Sequence, residues 1–497
     1  MQNGFLIESL KIVNKDKVLF DICFTNKQVC DIIKPFTTVV IGTNGTGKSY
    51  LLTVLAELFR AINNKISFKD VNLRYDFYCI EYVIGDNHYH IEIMQKSNII
   101  AVKNGEVIEA SKIELPYKVL AVSYMVNDKF VFKAQDTENE DIYEYLGIRQ
   151  TSNAAWTSSI IRRVSDSLVE LFIKSDFTDK AKEILSFLSF DNKISLKFEP
   201  EGKTLFTRKM QVSKLNKIAK KIQKQEDYRA FSVNKLVESN YTEIAKFINS
   251  ASKSGIIKEI NGKSGIELTL DFDNDKKSML IRNEYRVIRN LLDLKLLKPP
   301  KLVLYKDNQD FDFEYASSGE KHFLFTLINI ASKIKPNSLI LIDEPEISLH
   351  PNWQMNYINY IKKVFREYKS CHFILATHSH YIVSDLEPDS SSLVKLSVDS
   401  ETNIRNSQLI EYSTYAWSAE NILYNVFHVR TTRNYYFEMD LRNLISLIEE
   451  KSSNLEELTL LVNKLKKFII DKNDPMNLIL NEAERYIDYA KKTGGKN

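Results

Sequence analysis

The chain has 497 residues, 44% of them hydrophobic, and a formal net charge of +3. That apolar fraction excludes an intrinsically disordered chain, and the length predicts two to four domains. The near-balance of charge excludes polyanion binding driven by overall charge, so any nucleic-acid surface must be a local patch.

Four cysteines, Cys23, Cys30, Cys79 and Cys371, are scattered without CxxC spacing. That pattern implies neither a zinc knuckle nor a disulfide framework. The start, MQNGFLIESLK, lacks the basic and apolar segments of a signal peptide, and no apolar run is long enough to span a bilayer. A cytoplasmic location with no membrane partner is the expectation.

Phe5 to Ile12, Val18 to Phe24 and Thr37 to Ile41 read as three strands, the last rich in β-branched side chains. After Gly47 the period changes. Leu51, Leu55, Leu58 and Ile62 recur at helical spacing, with Leu52 and Phe59 widening the stripe. Residues 73–124 are β-rich, with strands over Tyr78–Ile84, His90–Met94 and Lys118–Tyr124 and a tight hairpin at Asn104-Gly105. His88 and His90 fall on one side of a strand. That spacing permits metal binding but is read as a solvated sheet face.

Residues 147–300 read as mostly helical, with one hairpin from Gly265 to Asn283 turning at Asp273-Asn274-Asp275. Asp271, Asp273 and Asp275 are taken as its solvated turn, since no histidine or further acid lies beside them. Residues 203–224, KTLFTRKMQVSKLNKIAKKIQK, hold eight basic residues (Lys203, Arg208, Lys209, Lys214, Lys217, Lys220, Lys221, Lys224) and no acid. As a helix, this run puts Lys217, Lys220, Lys221 and Lys224 on one face. That face suits either nucleic-acid phosphates or plain solvation. An α/β pattern resumes near Lys301, and after about residue 411 the chain is helical to its polar end. There Leu441, Leu444, Leu447 and Ile448, then Leu458, Leu460, Leu461, Leu465 and Phe468, form stripes suited to a core or to a partner.

Gly42-Thr43-Asn44-Gly45-Thr46-Gly47-Lys48-Ser49 matches the phosphate-binding loop GxxxxGK[ST] at every fixed position. Between a strand and a helix, its glycines let backbone N–H groups turn toward phosphate, and the helix N-terminus adds partial positive charge. Asn44, Gly45, Thr46, Gly47, Lys48, Ser49 and Tyr50 are therefore candidate ATP contacts. Lys48 is expected at the β- and γ-phosphates, and Ser49 on Mg²⁺. A metal-holding acid follows far downstream, where the apolar strand Leu339–Ile342 ends in Asp343 and Glu344. Asp343 is expected to orient Mg²⁺ and Glu344 to polarise the attacking water. Ser317-Ser318-Gly319-Glu320 opens a predicted helix with a good cap, and a further apolar strand, Phe373–Ala376, leads to Thr377-His378.

In this order, the phosphate loop, Ser-Ser-Gly-Glu, Asp-Glu strand and histidine resemble ATP-binding-cassette (ABC) type ATPases. The resemblance implies an α/β ABC-type P-loop ATPase head with an N-terminal antiparallel β-subdomain, a helical insertion and a helical C-terminal extension. It implies that Ser317, Ser318, Gly319 and Glu320 meet the γ-phosphate held by the opposite subunit. It also gives His378, with Lys48 and Glu344, a catalytic role. Glu346-Ile347-Ser348-Leu349-His350-Pro351 falls at the family's D-loop and resembles the branch of RecF-like, SMC-like and OLD-family ATPases. No clear Q-loop glutamine occurs near Ser123–Phe130; Asn127 or Asp128 stands in. The expected organisation is an N-terminal ATPase lobe over 1–146, an insertion over 147–300, a C-terminal ATPase lobe over 301–411 and an extension over 412–497.

The stretches Lys118 through Val126 to Phe130, Tyr145–Arg149 and Ala416 through Thr432 to Asn434 look like the PtuA-like ATPases of Septu-type and retron-associated antiphage systems. That likeness implies a homodimer or larger homo-oligomer holding a separate HNH (PtuB-like) nuclease. In the retron version, reverse transcriptase and msDNA join it. This chain has no HNH-like cluster of its own. The rival readings are a RecF- or SMC-like DNA-maintenance ATPase and an ATP-stabilised scaffold.

Overall fold

The structure is a computed structural model. It describes residues 4–15, 17–25, 34–64, 73–94, 99–125, 127–131, 141–149, 157–173, 178–224, 233–251, 255–274, 278–398, 405–410, 414–427, 433–450, 454–469, 474 and 476–494. Cys30, Val126, Asp275 and Thr432 lie outside these residues. The chain divides into two compact units, Met1–Trp417 and Ser418–Asn497.

The first unit opens with strands β1 (Phe5–Asn14) and β2 (Lys17–Cys23), then β3 (Phe36–Gly42) and helix α1 (Lys48–Asn63). Strands β4 (Phe77–Ile84), β5 (Asn87–Met94), β6 (Ile99–Lys103) and β7 (Glu106–Ile108) follow. These, with β1 and β2, make a six-stranded antiparallel sheet ordered β2-β1-β4-β5-β6-β7. In β4 every second residue, Tyr78, Ile80, Tyr82 and Ile84, is buried, as a half-covered strand requires. Asn104 and Gly105 both take positive φ, 52° and 86°, which is the expected tight hairpin.

The second sheet carries the loop. It is ordered β18-β17-β3-β16-β15-β8-β9, with β8 (Val119–Ser123), β9 (Tyr143–Tyr145), β15 (Leu339–Asp343), β16 (His372–Ala376), β17 (Ser391–Val398) and β18 (Arg405–Ile410). All of its pairings are parallel except that of β17 with β18. Strands β8, β15 and β16 are buried along their whole length, as a sheet covered on both faces demands. Helix α1 buries Leu51, Leu52, Leu55, Leu58, Phe59 and Ile62 in one core cluster with side chains of both sheets.

Between β9 and β15 the chain is less helical than its periodicity predicts. Helices α2 (Thr157–Ile173), α3 (Thr178–Phe187), α4 (Val212–Gln223), α5 (Glu238–Ser250), α6 (Ser278–Asp293) and α7 (Ser318–Lys333) are joined by a third, antiparallel sheet. Its order is β11-β12-β10-β13-β14, from β10 (Lys193–Phe198), β11 (Ile257–Ile260), β12 (Lys263–Asp271), β13 (Lys301–Lys306) and β14 (Gln309–Asp312). The expected hairpin from Gly265 to Asn283 is corrected. Strand β12 pairs backward with β11 through Asn261 and Gly262, both at positive φ, and Ser278–Asp293 is helix. The Asn-Gly pair sets the turn. Asp271 ends β12 and Asp273 lies just past it, where Asp273 is exposed and pairs with Lys182 at 3.2 Å, a solvated turn.

The second unit has helices over Ala419–Asn425, Tyr435–Glu449, Leu455–Lys466 and Met476–Gly494. Leu444, Leu458, Val462, Leu465, Leu480, Ala483 and Ile487 form its core. Leu460 and Phe468, from the same predicted stripe, are instead 70% and 65% exposed. Among the described residues no helix is long and apolar enough to cross a membrane.

Candidate nucleotide site

Strand β3 runs straight into the glycine loop. Gly45 and Gly47 take φ of 84° and 97°, which other residues rarely adopt. At Gly42 a Cβ would lie 2.4 Å from the Leu396 carbonyl oxygen, so that position excludes any side chain. Helix α1 starts at Lys48 with no acid in its first turn, so its free N–H groups and partial positive charge face the loop unneutralised. The Lys48 ammonium donates to the carbonyls of Gly42 (2.8 Å) and Thr43 (3.3 Å), and the Thr46 hydroxyl donates to Thr43 (2.9 Å). Burial lowers the Lys48 pKa, opposed by the carboxylates of Glu344, Glu346 and Asp343. Asn44 is exposed at the loop's tip, while Tyr50 stacks on Phe20 at 6.3 Å between ring centroids.

Asp343 closes β15 and is 2% exposed. Its pKa is pushed up to about 7, by burial first and then by the charges of Glu344, Asp128 and Glu346; a hydrogen bond with Ser49 opposes the rise. Among the described residues its Oδ1 has no hydrogen-bond partner. An orphaned buried carboxylate oxygen, on a side chain that also bonds the Ser49 hydroxyl and lies in a surplus of negative charge, belongs to a donor set that a hard divalent cation satisfies. The residues present therefore fit Mg²⁺. Glu344 follows at φ 47°, a conformation uncommon outside glycine, and its N–H donates to the Ala376 carbonyl at 2.9 Å.

His378 emerges from β16 beside this group. Its pKa is lowered by burial and by Lys48, against Glu344, so these three side chains share one field. Glu346 fixes its backbone. One Glu346 oxygen accepts the His378 N–H at 2.6 Å and the other accepts the Thr377 hydroxyl at 2.7 Å. Ser379 then caps the short helix α8 (His380–Ser384) and donates its hydroxyl to Gln354 at 2.6 Å. The Gln354 amide in turn donates to the Leu349 carbonyl at 2.9 Å.

Ser317 caps α7 in a reciprocal box. Its hydroxyl accepts from the Glu320 N–H at 3.2 Å, and its own N–H donates to the Glu320 carboxylate at 2.7 Å. Ser317 and Ser318 are exposed, whereas Gly319 is buried. A Cβ on Gly319 would meet the Ser348 carbonyl at 2.9 Å. Among the described residues no hydrogen bond or ion pair links these four to the glycine loop. The fold thus gathers Lys48, Ser49, Asp343, Glu344 and His378, and holds Ser317–Glu320 as a separate, solvent-facing helix start.

Asp128 does not stand open as a Q-loop substitute. It is buried, accepts from the Tyr145 hydroxyl at 2.5 Å and pairs with Arg149 at 3.3 Å. Asn127 remains exposed. Sequence reasoning misses the anchoring role of Glu346, and misses Phe20 and Arg405 entirely. The Arg405 guanidinium lies 5.3 Å over the Phe20 ring, and both side chains border Gly47. No local pattern marks either residue, since pairing of distant strands brings them to the loop.

A glycine loop at a helix N-terminus, a buried acid opposite its serine and a histidine on the next strand define a P-loop nucleotide-binding protein. The chain belongs to the family described as AAA ATPase domain, which matches residues 15–383. Relatives include the Septu protein PtuA of Bacillus thuringiensis, 28% identical over 31% of this chain and 42% of that protein. The Retron Ec83 probable ATPase of Escherichia coli is 32% identical over 22% of each chain. The Retron Vc95 probable ATPase of Vibrio cholerae is 19% identical over 78% of this chain and 74% of that one. The chain thus spans less than half the length of the first two relatives. The likeness to PtuA-type and retron-associated ATPases is borne out by these relatives. Among solved structures, the Smc head domain bound to the C-terminal domain of ScpA, from Pyrococcus furiosus, aligns over 86% of this chain and 100% of that chain. Its identity is 14% and its TM-score 0.33. The recombination mediator protein RecF aligns over 82% and 99%, at 15% identity and TM-score 0.30. Scores this low add nothing to the sheet order described above.

Protonation of Asp343 couples metal binding to pH. Its folded pKa lies above its ordinary value, so the folded state keeps a proton that the unfolded chain loses. Without metal, its contribution to stability is full below the ordinary carboxylate pKa and is lost as pH rises through about 7. Mg²⁺ must displace that proton. In nucleotide-free protein, the rise in Tm on adding Mg²⁺ will be larger at about pH 8 than at about pH 6. Asp343→Asn will remove that difference, as thermal unfolding at the two pH values will read.

Proposed function

We propose that this chain is the ATP-binding and ATP-hydrolysing subunit of an antiphage defence complex of the Septu or retron type, whose nucleotide state gates an associated HNH nuclease. The observation that carries the ATPase part is the buried, unpartnered Asp343 oxygen opposite Ser49, beside Lys48, Glu344 and His378. The defence part is supported by the names of the relatives. The nuclease, and in a retron a reverse transcriptase with msDNA, would be separate partners.

In this reading Gly45, Thr46, Gly47 and Lys48 bind the β- and γ-phosphates of ATP through backbone N–H groups and the ammonium. Lys48 leaves the carbonyls of Gly42 and Thr43 to do so. Ser49 and Asp343 hold Mg²⁺, which would neutralise phosphate charge. Glu344 accepts a proton from the attacking water. His378 contacts the γ-phosphate, positioned by Glu346. Ser317, Ser318, Gly319 and Glu320 act on ATP held by a second copy, so the working unit is at least a homodimer.

Glu344→Gln is expected to bind ATP like the wild type, to lose about 10²- to 10⁴-fold in turnover, and to accumulate as a closed dimer. Wild-type turnover would overturn the role of Glu344. Mixing Lys48→Ala with Ser317→Ala chains tests the shared site. Hydrolysis absent from each variant alone is expected to reappear in the mixture, because one of the two mixed sites is intact. No recovery in chains that demonstrably pair would overturn the composite site. Mass measurement of the complex co-purified from its native operon reads the partners.

A second reading concerns nucleic acid. All eight basic residues of the run are exposed, and among the described residues none forms an ion pair. Helix α4 buries Leu215, Ala219 and Ile222, which leaves Lys217, Lys220, Lys221 and Lys224 on its solvent side. Reversing these four charges is expected to flatten the dependence of log affinity on log salt, by about 0.9 for each duplex phosphate that the mutant no longer neutralises. An unchanged slope removes this reading.

A further inference from the structure

The N-terminal antiparallel sheet has an outward face of unusual chemistry. On β4 and β5 the buried side alternates with Cys79, Glu81, His90 and Glu92, all partly exposed. Register sets Cys79 directly opposite Glu92, and Glu81 directly opposite His90. Four polar side chains of three donor types therefore share one patch of two adjacent strands.

We propose that this patch is a transition-metal site, in which Cys79, His90 and Glu92 bind a zinc-class divalent cation and Glu81 positions the histidine. One ligand atom from each of the three lies within 4.8 Å of the other two. The Cys79 sulfur is 3.9 Å from His90 Nε2, and Nε2 is 3.3 Å from Glu92 Oε1. Bonds of about 2.0–2.3 Å at tetrahedral angles require ligand atoms roughly 3.3–3.6 Å apart, so the separations are close to those of a site once the Cys79 side chain turns toward Nε2. The other imidazole nitrogen supports the assignment. His90 Nδ1 is 2.9 Å from Glu81 Oε1, and the second Glu81 oxygen accepts from the Ser9 hydroxyl at 2.8 Å. A proton on Nδ1 held by a carboxylate leaves the Nε2 lone pair free as a ligand, the arrangement that orients metal-binding histidines, while the Cys79 sulfur stands 3.9 Å from both ring nitrogens.

Electrostatics act in the same direction. Burial and the carboxylates of Glu81 and Glu92 push the Cys79 thiol up to about 11. Burial works against a charge on His90, yet its hydrogen bonds to Glu81 and Glu92 raise its pKa. The patch thus concentrates negative charge that one bound cation would neutralise, releasing the thiol proton. The lysine opposite Cys79 does not fill this role. Lys11 faces Cys79 in register, but its ammonium is drawn to Asp21 at 3.5 Å. Side-chain exposures of 32% for His90 and 30% for Glu92 leave the patch open to a cation from solvent. Sulfur and imidazole select zinc, cobalt or nickel over Mg²⁺, and three protein ligands leave one position for water or another donor. Without metal, the same residues hold His90 between two carboxylates, and the experiment separates the two states.

The test uses full-length, nucleotide-free protein under reducing conditions, with excess Mg²⁺ to occupy the Asp343 site, titrated with Co²⁺. The expected result is one equivalent bound with a thiolate-to-cobalt charge-transfer band, displaced by Zn²⁺. Cys79→Ser is expected to abolish the band, and His90→Gln to weaken binding at least about tenfold. Glu81→Gln is expected to keep the band but weaken binding about ten- to a hundredfold, as loss of a carboxylate behind a metal-binding histidine does. Cys371→Ser, at a buried cysteine just before β16, is expected to change nothing. Cys23 shares this face, paired with Ser9 in register. A band lost in Cys23→Ser but kept in Cys79→Ser overturns the assignment. So does binding without the band, or no stoichiometric binding. Should Cys79→Ser fail to fold, alkylation of wild-type protein reads the same site, since Zn²⁺ must protect Cys79 from iodoacetamide. Equal labelling with and without Zn²⁺ overturns the proposal.

Discussion

Parallel register in the central sheet is the constraint on which the candidate site depends. Val40, Ala376 and Asp343 stand side by side on β3, β16 and β15, which all run in one direction. Whatever follows each strand must therefore leave at the same edge. That edge receives the glycine loop from the first, His378 from the second, and Glu344 from the third. An antiparallel neighbour would deliver its turn to the far side. The buried β-branched and leucine-rich strands that hold this register are also why nucleotide chemistry concentrates at one rim of such sheets.

Two acids at that rim, buried Asp343 and half-buried Glu346, have different settings. Glu346 is saturated, with one oxygen on the Thr377 hydroxyl and the other on the His378 N–H. Its charge is committed to holding the turn that presents the histidine. Asp343 has an oxygen left over. Burial raises the pKa of both, but only Asp343 has a reason to exchange its proton for a ligand. A saturated carboxylate is structural and an unsaturated one awaits something, and here the two lie three positions apart in the chain.

How much of this is legible in the sequence follows from distance along the chain. The glycine loop and the acid-ended strand are contiguous runs, so their chemistry shows in a dozen letters. The i, i+4 stripe of α1 and the alternation of β4 are equally local. The third sheet is not. Strand β10 pairs with β12 and β13, segments about 70 and 110 residues further on, and nothing within KISLKF alone announces those partners. The Asn261-Gly262 turn is a legible signal, but the acidic stretch after it draws the hairpin to the wrong place. Glu346 is legible as part of a turn, yet its task depends on Thr377 and His378 arriving from another strand. Arg405 beside Phe20 and Gly47 has no linear signature at all. In the second unit, Leu444 and Leu460 look alike in a helical stripe, and only packing separates the buried one from the exposed one.

The contact between α7 and the stretch after β15 has a mechanical consequence. Gly319 lies so close to the Ser348 carbonyl that no side chain would fit between them, and His322 bonds the Ile347 carbonyl at 2.6 Å. The His322 ring, stacked on Tyr124 at 4.4 Å, is kept neutral by burial, its pKa lowered to about 4. This joint therefore does not loosen with physiological changes in acidity. The exposed tip of α7 and the backbone just past Glu344 are thus joined by direct protein contacts, so the path between Ser317 and the acid need not cross solvent.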